Sequence, residues 1–242
     1  MRIFASFLAV VILLAGCATT TTVTEKFELE EKELEVELGA YESIGFYMSV
    51  GDPLKALESF ETAYSENPDS VETKILYSSL LLTAGQLDEA RLTLNEVLNE
   101  DSGNLEALFN MSFLEGMAGN TVAQEEQLNL ILEVDSENAE ALSYLGEIFL
   151  AEKKYDKAED VFQKSIQIDE DNIVARLGYG NLLLRDKSYE ESALQFDHVV
   201  ETNPDYSFAY SDRSKARSGL NDADGAIADL TKAIELNGEY YW

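Results

Sequence analysis

Cysteine and histidine each occur once in this 242-residue chain, at Cys17 and His198. A single thiol allows no disulfide framework. A single imidazole removes His-based metal clusters and most acid–base designs. Carboxylates are plentiful, with 47 Asp and Glu against 17 Lys and Arg, but no pair stands out by its spacing. The stretch Asn221-Asp222-Ala223-Asp224-Gly225 resembles part of a calcium loop. The carboxylate that should close such a loop is missing, and Lys232 stands in that region instead. Turn chemistry between two helices explains the same residues. No glycine-rich phosphate loop occurs. The expectation is a protein that is not an enzyme and needs no metal or cofactor.

The residue best placed for chemistry is Cys17. It ends an apolar run from Ile3 to Ala15 that is preceded by one charge, Arg2. The run is short for a permanent span and has signal-peptide proportions. Its last residues, Leu14-Ala15-Gly16-Cys17, match the bacterial lipobox. That match implies a signal peptide over 1–16, cleavage before Cys17, and lipid on its sulfur and new amino group. The other reading is an ordinary signal peptide that happens to contain a cysteine. Several acyl chains would hold the protein on a membrane far more firmly than one. Residues 17–36 then form a tether, Thr-rich at first and densely acidic from Glu25. No Asp follows Cys17, so an outer membrane is favoured if the source has two.

The elements that follow are set by a ladder of Asx residues. Asn67, Asp101, Asp135, Asp169, Asn203 and Asn237 stand 34 residues apart, without insertion or deletion. Seven residues before each is an apolar residue: Phe60, Leu94, Leu128, Phe162, Phe196 and Leu230. Three before each is another: Tyr64, Leu98, Leu132, Ile166, Val200 and Ile234. A fixed period of this length specifies a stacked array of identical units. In the fourth unit Leu142, Leu145, Gly146, Phe149 and Leu150 have helical spacing, as do Tyr155, Ala158, Val161, Phe162 and Ile166. The polar turn Glu152-Lys153-Lys154 separates them. Each unit is thus a helical hairpin, with small residues such as Gly146 and Ala158 where its helices meet. The Asx is expected to end the second helix in an αL or turn conformation.

These residues resemble the tetratricopeptide repeat. The first unit supplies Tyr47, Ala56, Phe60, Ala63 and Pro68 at the signature places. The fourth supplies Gly146, Phe149, Ala158 and Phe162, and the fifth Gly180, Leu183, Phe196 and Pro204. The third is the most degenerate, with Ser112, Glu115 and Gln124 at three of those places. The resemblance implies an all-α, right-handed α-solenoid of six 34-residue hairpins. Its units span 37–70, 71–104, 105–138, 139–172, 173–206 and 207–240, and an aromatic tail follows at 241–242.

In this family the first helix of each unit lines a concave face. The positions carried over are Tyr41, Met48, Ile75, Leu82, Phe109, Phe113, Leu177, Asn181, Leu184, Phe208 and Lys215. Such a face suits an extended or helical peptide with bulky side chains. The carboxylate clamp of the chaperone-binding subclass is absent, since Tyr41 and Gly45 occupy its places. Tyr240, Tyr241 and Trp242 form a second candidate contact, at the array's carboxyl end. Arg213 reads as a packed structural residue, whereas Arg185, Lys215 and Arg217 remain open to function.

A formal net charge of −30 makes nucleic-acid binding very unfavourable, because phosphate contacts need clustered cations. The expected function is a membrane-anchored scaffold of the cell envelope that holds a protein or peptide partner. Its layout is similar to six-repeat pilotin lipoproteins of type IV pili. The alternative is an accessory lipoprotein that docks a solute-binding protein or holds a small ligand. An enclosed pocket would favour the latter.

Overall fold

A computed structural model of the chain describes residues 40–64 and 70–236, the side chains of 40–42 and 62–64 excepted. Cys17, the tether, Asn67, Pro68 and the tail at Tyr240, Tyr241 and Trp242 lie outside them. Among the described residues every element is an α-helix, and there are twelve. They are α1 (Ala40–Ser49), α2 (Pro53–Tyr64), α3 (Val71–Thr83), α4 (Leu87–Glu100), α5 (Leu105–Met117) and α6 (Thr121–Val134). They continue as α7 (Ala139–Ala151), α8 (Tyr155–Ile168), α9 (Ile173–Arg185), α10 (Tyr189–Thr202), α11 (Ser207–Gly219) and α12 (Ala223–Leu236). Each expected repeat holds one pair. The chain divides into two compact units, and the division falls inside α5, between Leu114 and Glu115.

In the first unit the core is built from Ile44, Tyr47, Ala56, Leu57, Phe60, Leu81, Ala90, Leu94, Val97 and Leu114. The Phe60 ring, fully buried, stacks on Tyr77 of the next hairpin with centroids 5.7 Å apart. Lys74 is drawn into α3's packed side by Glu100 at 3.1 Å and Glu96 at 3.2 Å on α4. Those bonds hold its ammonium above the usual lysine range.

In the second unit Phe162 and Phe196 are fully buried. A Cβ built on Gly146 would strike the Phe162 ring, and so would one on Gly178 of the following hairpin. Gly180 stands against Phe196 in the same way, with ring atoms 2.6 Å from such a Cβ. The apolar ladder is therefore the packing seam, and Gly146, Gly178 and Gly180 make room in it for the Phe162 and Phe196 rings. The third repeat absorbs its odd residues locally. Glu115 is buried and accepts a hydrogen bond from Asn120 Nδ2 at 2.8 Å, while Gln124 rests over Gly116.

Of the two conformations expected for the Asx ladder, the structure has the turn and not αL. Asp101, Asp135 and Asp169 have φ of −139°, −135° and −131°, an extended backbone. Their carboxylates instead accept the amides two residues on, those of Gly103, Glu137 and Asp171. These are Asx turns, satisfied by side chain rather than by left-handed backbone. Three residues after each Asp stands an asparagine, Asn104, Asn138 or Asn172. Its Oδ1 accepts from the amide of Ala107, Ala141 or Ala175 and so caps the next helix. Positive φ lies elsewhere, inside each hairpin. It recurs every 34 residues at Gly51, Gly85 and Gly119 (φ 76°), then Lys153, Lys187 and Asn221 (φ 62–63°). Asn221-Asp222 is thus a turn, and Asp222 Oδ1 accepts the Gly225 amide at 3.0 Å to start α12.

Candidate functional site

The groove residues named from the sequence fall into two sets, one in each unit. In the first unit Met48 and Ile75 are partly buried against the core, and Leu82 lies within it. Leu82 is therefore a packing residue rather than a groove residue, because its side chain is buried in the core of the first unit. Phe109 is half-buried, while Phe113 on α5 is 40% exposed. Beside them Asn110 Nδ2 donates to Ser79 Oγ at 2.9 Å and ties α5 to α3. Phe113 thus projects from a helix held by polar bonds as well as by its apolar side. The side chain of Tyr41 lies outside the described residues.

In the second unit Asn181 and Lys215 meet on Asp212. Asn181 Nδ2 donates at 3.1 Å and Lys215 Nζ at 2.6 Å. Phe208, on α11, is 53% exposed, and its ring lies 5.9 Å from that of Tyr206. Sequence reasoning missed the residues that complete this face: Glu140, Tyr144 and Glu147 on α7, and Tyr206 before α11. The signal was present in the i, i+4, i+7 spacing of the α7 residues. Burial pushes the Tyr144 phenol above its usual range, and the charges of Glu140 and Glu147 and nearby Tyr206 add to the shift. Burial likewise raises Tyr206, helped by Asp212 and Glu147. The α7 residues therefore lie within electrostatic reach of the start of α11.

The remaining candidates are structural. Arg213 donates to Asp229 through Nε at 2.9 Å and Nη2 at 2.6 Å, and to Asp197 through Nη1 at 2.7 Å. It bridges α10, α11 and α12, and these bonds outweigh the lowering effect of burial, so its guanidinium is held more firmly protonated. Arg217 adds to Asp229 at 3.0 Å. Arg185 lies 3.5 Å over the Tyr155 ring and bonds Asp186 through Nε at 2.8 Å. His198 Nε2 is 2.8 Å from Asp171 Oδ1, which fastens α10 to the turn before α9. No group of three or more metal-ligating side chains occurs among the described residues. An open hollow of about 330 Å³ lies at the α7–α8 turn, lined by Lys153, Lys154, Tyr155, Asp156 and Lys157.

The tetratricopeptide-repeat profile matches residues 47–111 and 149–212, more than half of the chain. The chain belongs to the tetratricopeptide-repeat family. Repeats of this family are modules that bind proteins and peptides, and no catalytic family is indicated. No curated protein matches the chain. Among solved structures it is similar to pilF of Pseudomonas aeruginosa. That likeness has 17% identity and TM-score 0.66, covering 83% of this chain and 93% of the other. It is also similar to a tetratricopeptide repeat protein from Parabacteroides merdae, at 24% identity and TM-score 0.60, over 81% and 78%. A third is YrrB, described as having an unusual peptide-binding site, at 21% identity and TM-score 0.53, over 76% and 95%. At these identities the three show the shared tetratricopeptide fold.

Proposed function

We propose that this protein is a lipid-anchored scaffold of the bacterial cell envelope that holds a protein or peptide partner on the first-helix faces of its repeats. The observation that carries the reading is the exposure of Phe113 and Phe208. Both are large aromatics on first helices that other residues hold in place. Apolar side chains left at solvent on a rigid face favour a bulky ligand. The hollow at the α7–α8 turn is open rather than enclosed, which favours a peptide over a small enclosed ligand. The Leu14-Ala15-Gly16-Cys17 sequence supports attachment through Cys17, with the outer membrane favoured where there are two. The likeness to pilF is one of fold, and it makes assembly of a pilus or secretin complex the first pathway to test.

The experiment is photo-crosslinking in intact envelopes, with a photoreactive phenylalanine analogue at Phe113 or Phe208 and, as control, at the buried Phe162. Adducts of one partner from the two exposed positions, and none from Phe162, are expected. Equal labelling at all three, or none, would overturn the reading.

A further inference from the structure

We infer that the α7–α9–α11 face of the second unit receives a cationic peptide segment, one that presents Arg or Lys beside an apolar side chain. This deepens the scaffold reading and rests on it. The face carries Tyr144, Tyr206 and Phe208, with Glu140 and Glu147 placed on either side of Tyr144 along α7. Both carboxylates are open to solvent, yet surrounding protein raises their proton affinity.

The cations carried by α9 and α11 themselves are committed elsewhere. Arg213 and Arg217 are held by Asp229. Arg185 is held by Asp186 and Tyr155. Arg176 donates to the Glu170 carbonyl and to Gln195. Lys215 sits on Asp212. Among the described residues no Lys or Arg lies within ion-pair distance of Glu140 or Glu147. Carboxylates beside aromatic rings attract a guanidinium or ammonium doubly, by charge-assisted hydrogen bonds and by the negative ring faces. An acidic segment would meet two like charges and a chain of net charge −30.

The test pans a phage-displayed random dodecapeptide library against the full chain and against its Glu140→Gln/Glu147→Gln variant. Enrichment of Arg or Lys next to aromatic or aliphatic residues is expected with the native chain. The selected peptides, made synthetically, should lose ~tenfold or more in affinity on the variant, in line with loss of charge-assisted bonds. Both substitutions are at exposed positions, and an unchanged melting curve checks the fold. Enrichment of acidic or uncharged peptides would overturn the inference and leave the scaffold reading standing. Basic peptides that bind the variant equally well would also overturn it. No enrichment on the native chain, together with no crosslinked partner in envelopes, would overturn both.

Discussion

Phe162 is fully buried against Gly178, a glycine that belongs to the next repeat. The same ring covers Gly146 of its own hairpin. One side chain therefore joins two repeats, and it can do so only while neither neighbour carries a Cβ. Gly178→Ala is expected to destabilise by ~1–3 kcal/mol through overpacking, which exceeds the gain in helix propensity. Gly45→Ala is the control. It has open space around its Cβ and should stabilise by up to ~1 kcal/mol. Urea midpoints of the two variants should move in opposite directions.

The positive-φ ladder makes a second contrast. Lys187 has φ 63°, where Gly51, Gly85 and Gly119 have 76°. Lys187→Gly should stabilise by about 1 kcal/mol by removing the left-handed penalty, and Gly85→Ala should cost a similar amount. Thermal melts of both variants check this. Equal and unchanged melting temperatures would show that the turns are not strained.

Asp229 is the most deeply placed carboxylate of the Arg213 bridge, its side chain 4% exposed. Asp229→Asn should cost ~3 kcal/mol, because the Arg213 charge keeps only Asp197. The loss should persist at high salt, since buried pairs are poorly screened. Replacing Arg213 and Asp229 together with Met and Leu should cost less than the single change. Denaturant titration of the three variants reads the difference.

Glu147 carries the opposite linkage to an ordinary ion-paired carboxylate. Burial raises its folded pKa, so the folded state holds the proton more tightly than the unfolded chain. Its contribution is favourable below the unfolded pKa of about 4.3 and is lost as pH rises through the folded value. The groups the structure places within its electrostatic reach are Tyr144 on α7 and Tyr206 before α11. Glu147→Gln should therefore melt at or above the native temperature at pH 7, and the gain should vanish toward pH 4. A melting series across that range decides it, and a gain that grows toward pH 4 would contradict the sign.

Cys17→Ser should release the protein from the membrane fraction and block normal maturation. Fractionation and mass spectrometry of the amino terminus read this directly. A variant that matures and sediments like the native chain would remove the lipid anchor.

The 34-residue period specified the hairpins, their order and their seam, because a helix that must bury one stripe repeats its apolar residues in register. Phe60, Leu94, Leu128, Phe162 and Phe196 are all fully buried where the ladder placed them. Leu230 and Ile234 share that register, yet they are 42% and 51% exposed. Burial at this seam comes from the following hairpin, and no described helix follows α12. The helix-capping Asn104, Asn138 and Asn172 and the positive-φ glycines recur at the same period, but their roles lie in backbone hydrogen bonds and dihedrals that apolar spacing does not display. Other features depended on tertiary structure. Leu82 was assigned to the core, Gly178 was set under a ring 16 residues before it, and Asp229 was placed where Arg213 and Arg217 converge. The Glu147–Tyr206 neighbourhood is of this kind as well. Its members lie nearly two repeats apart, and only the stacking of successive first helices brings them within electrostatic reach.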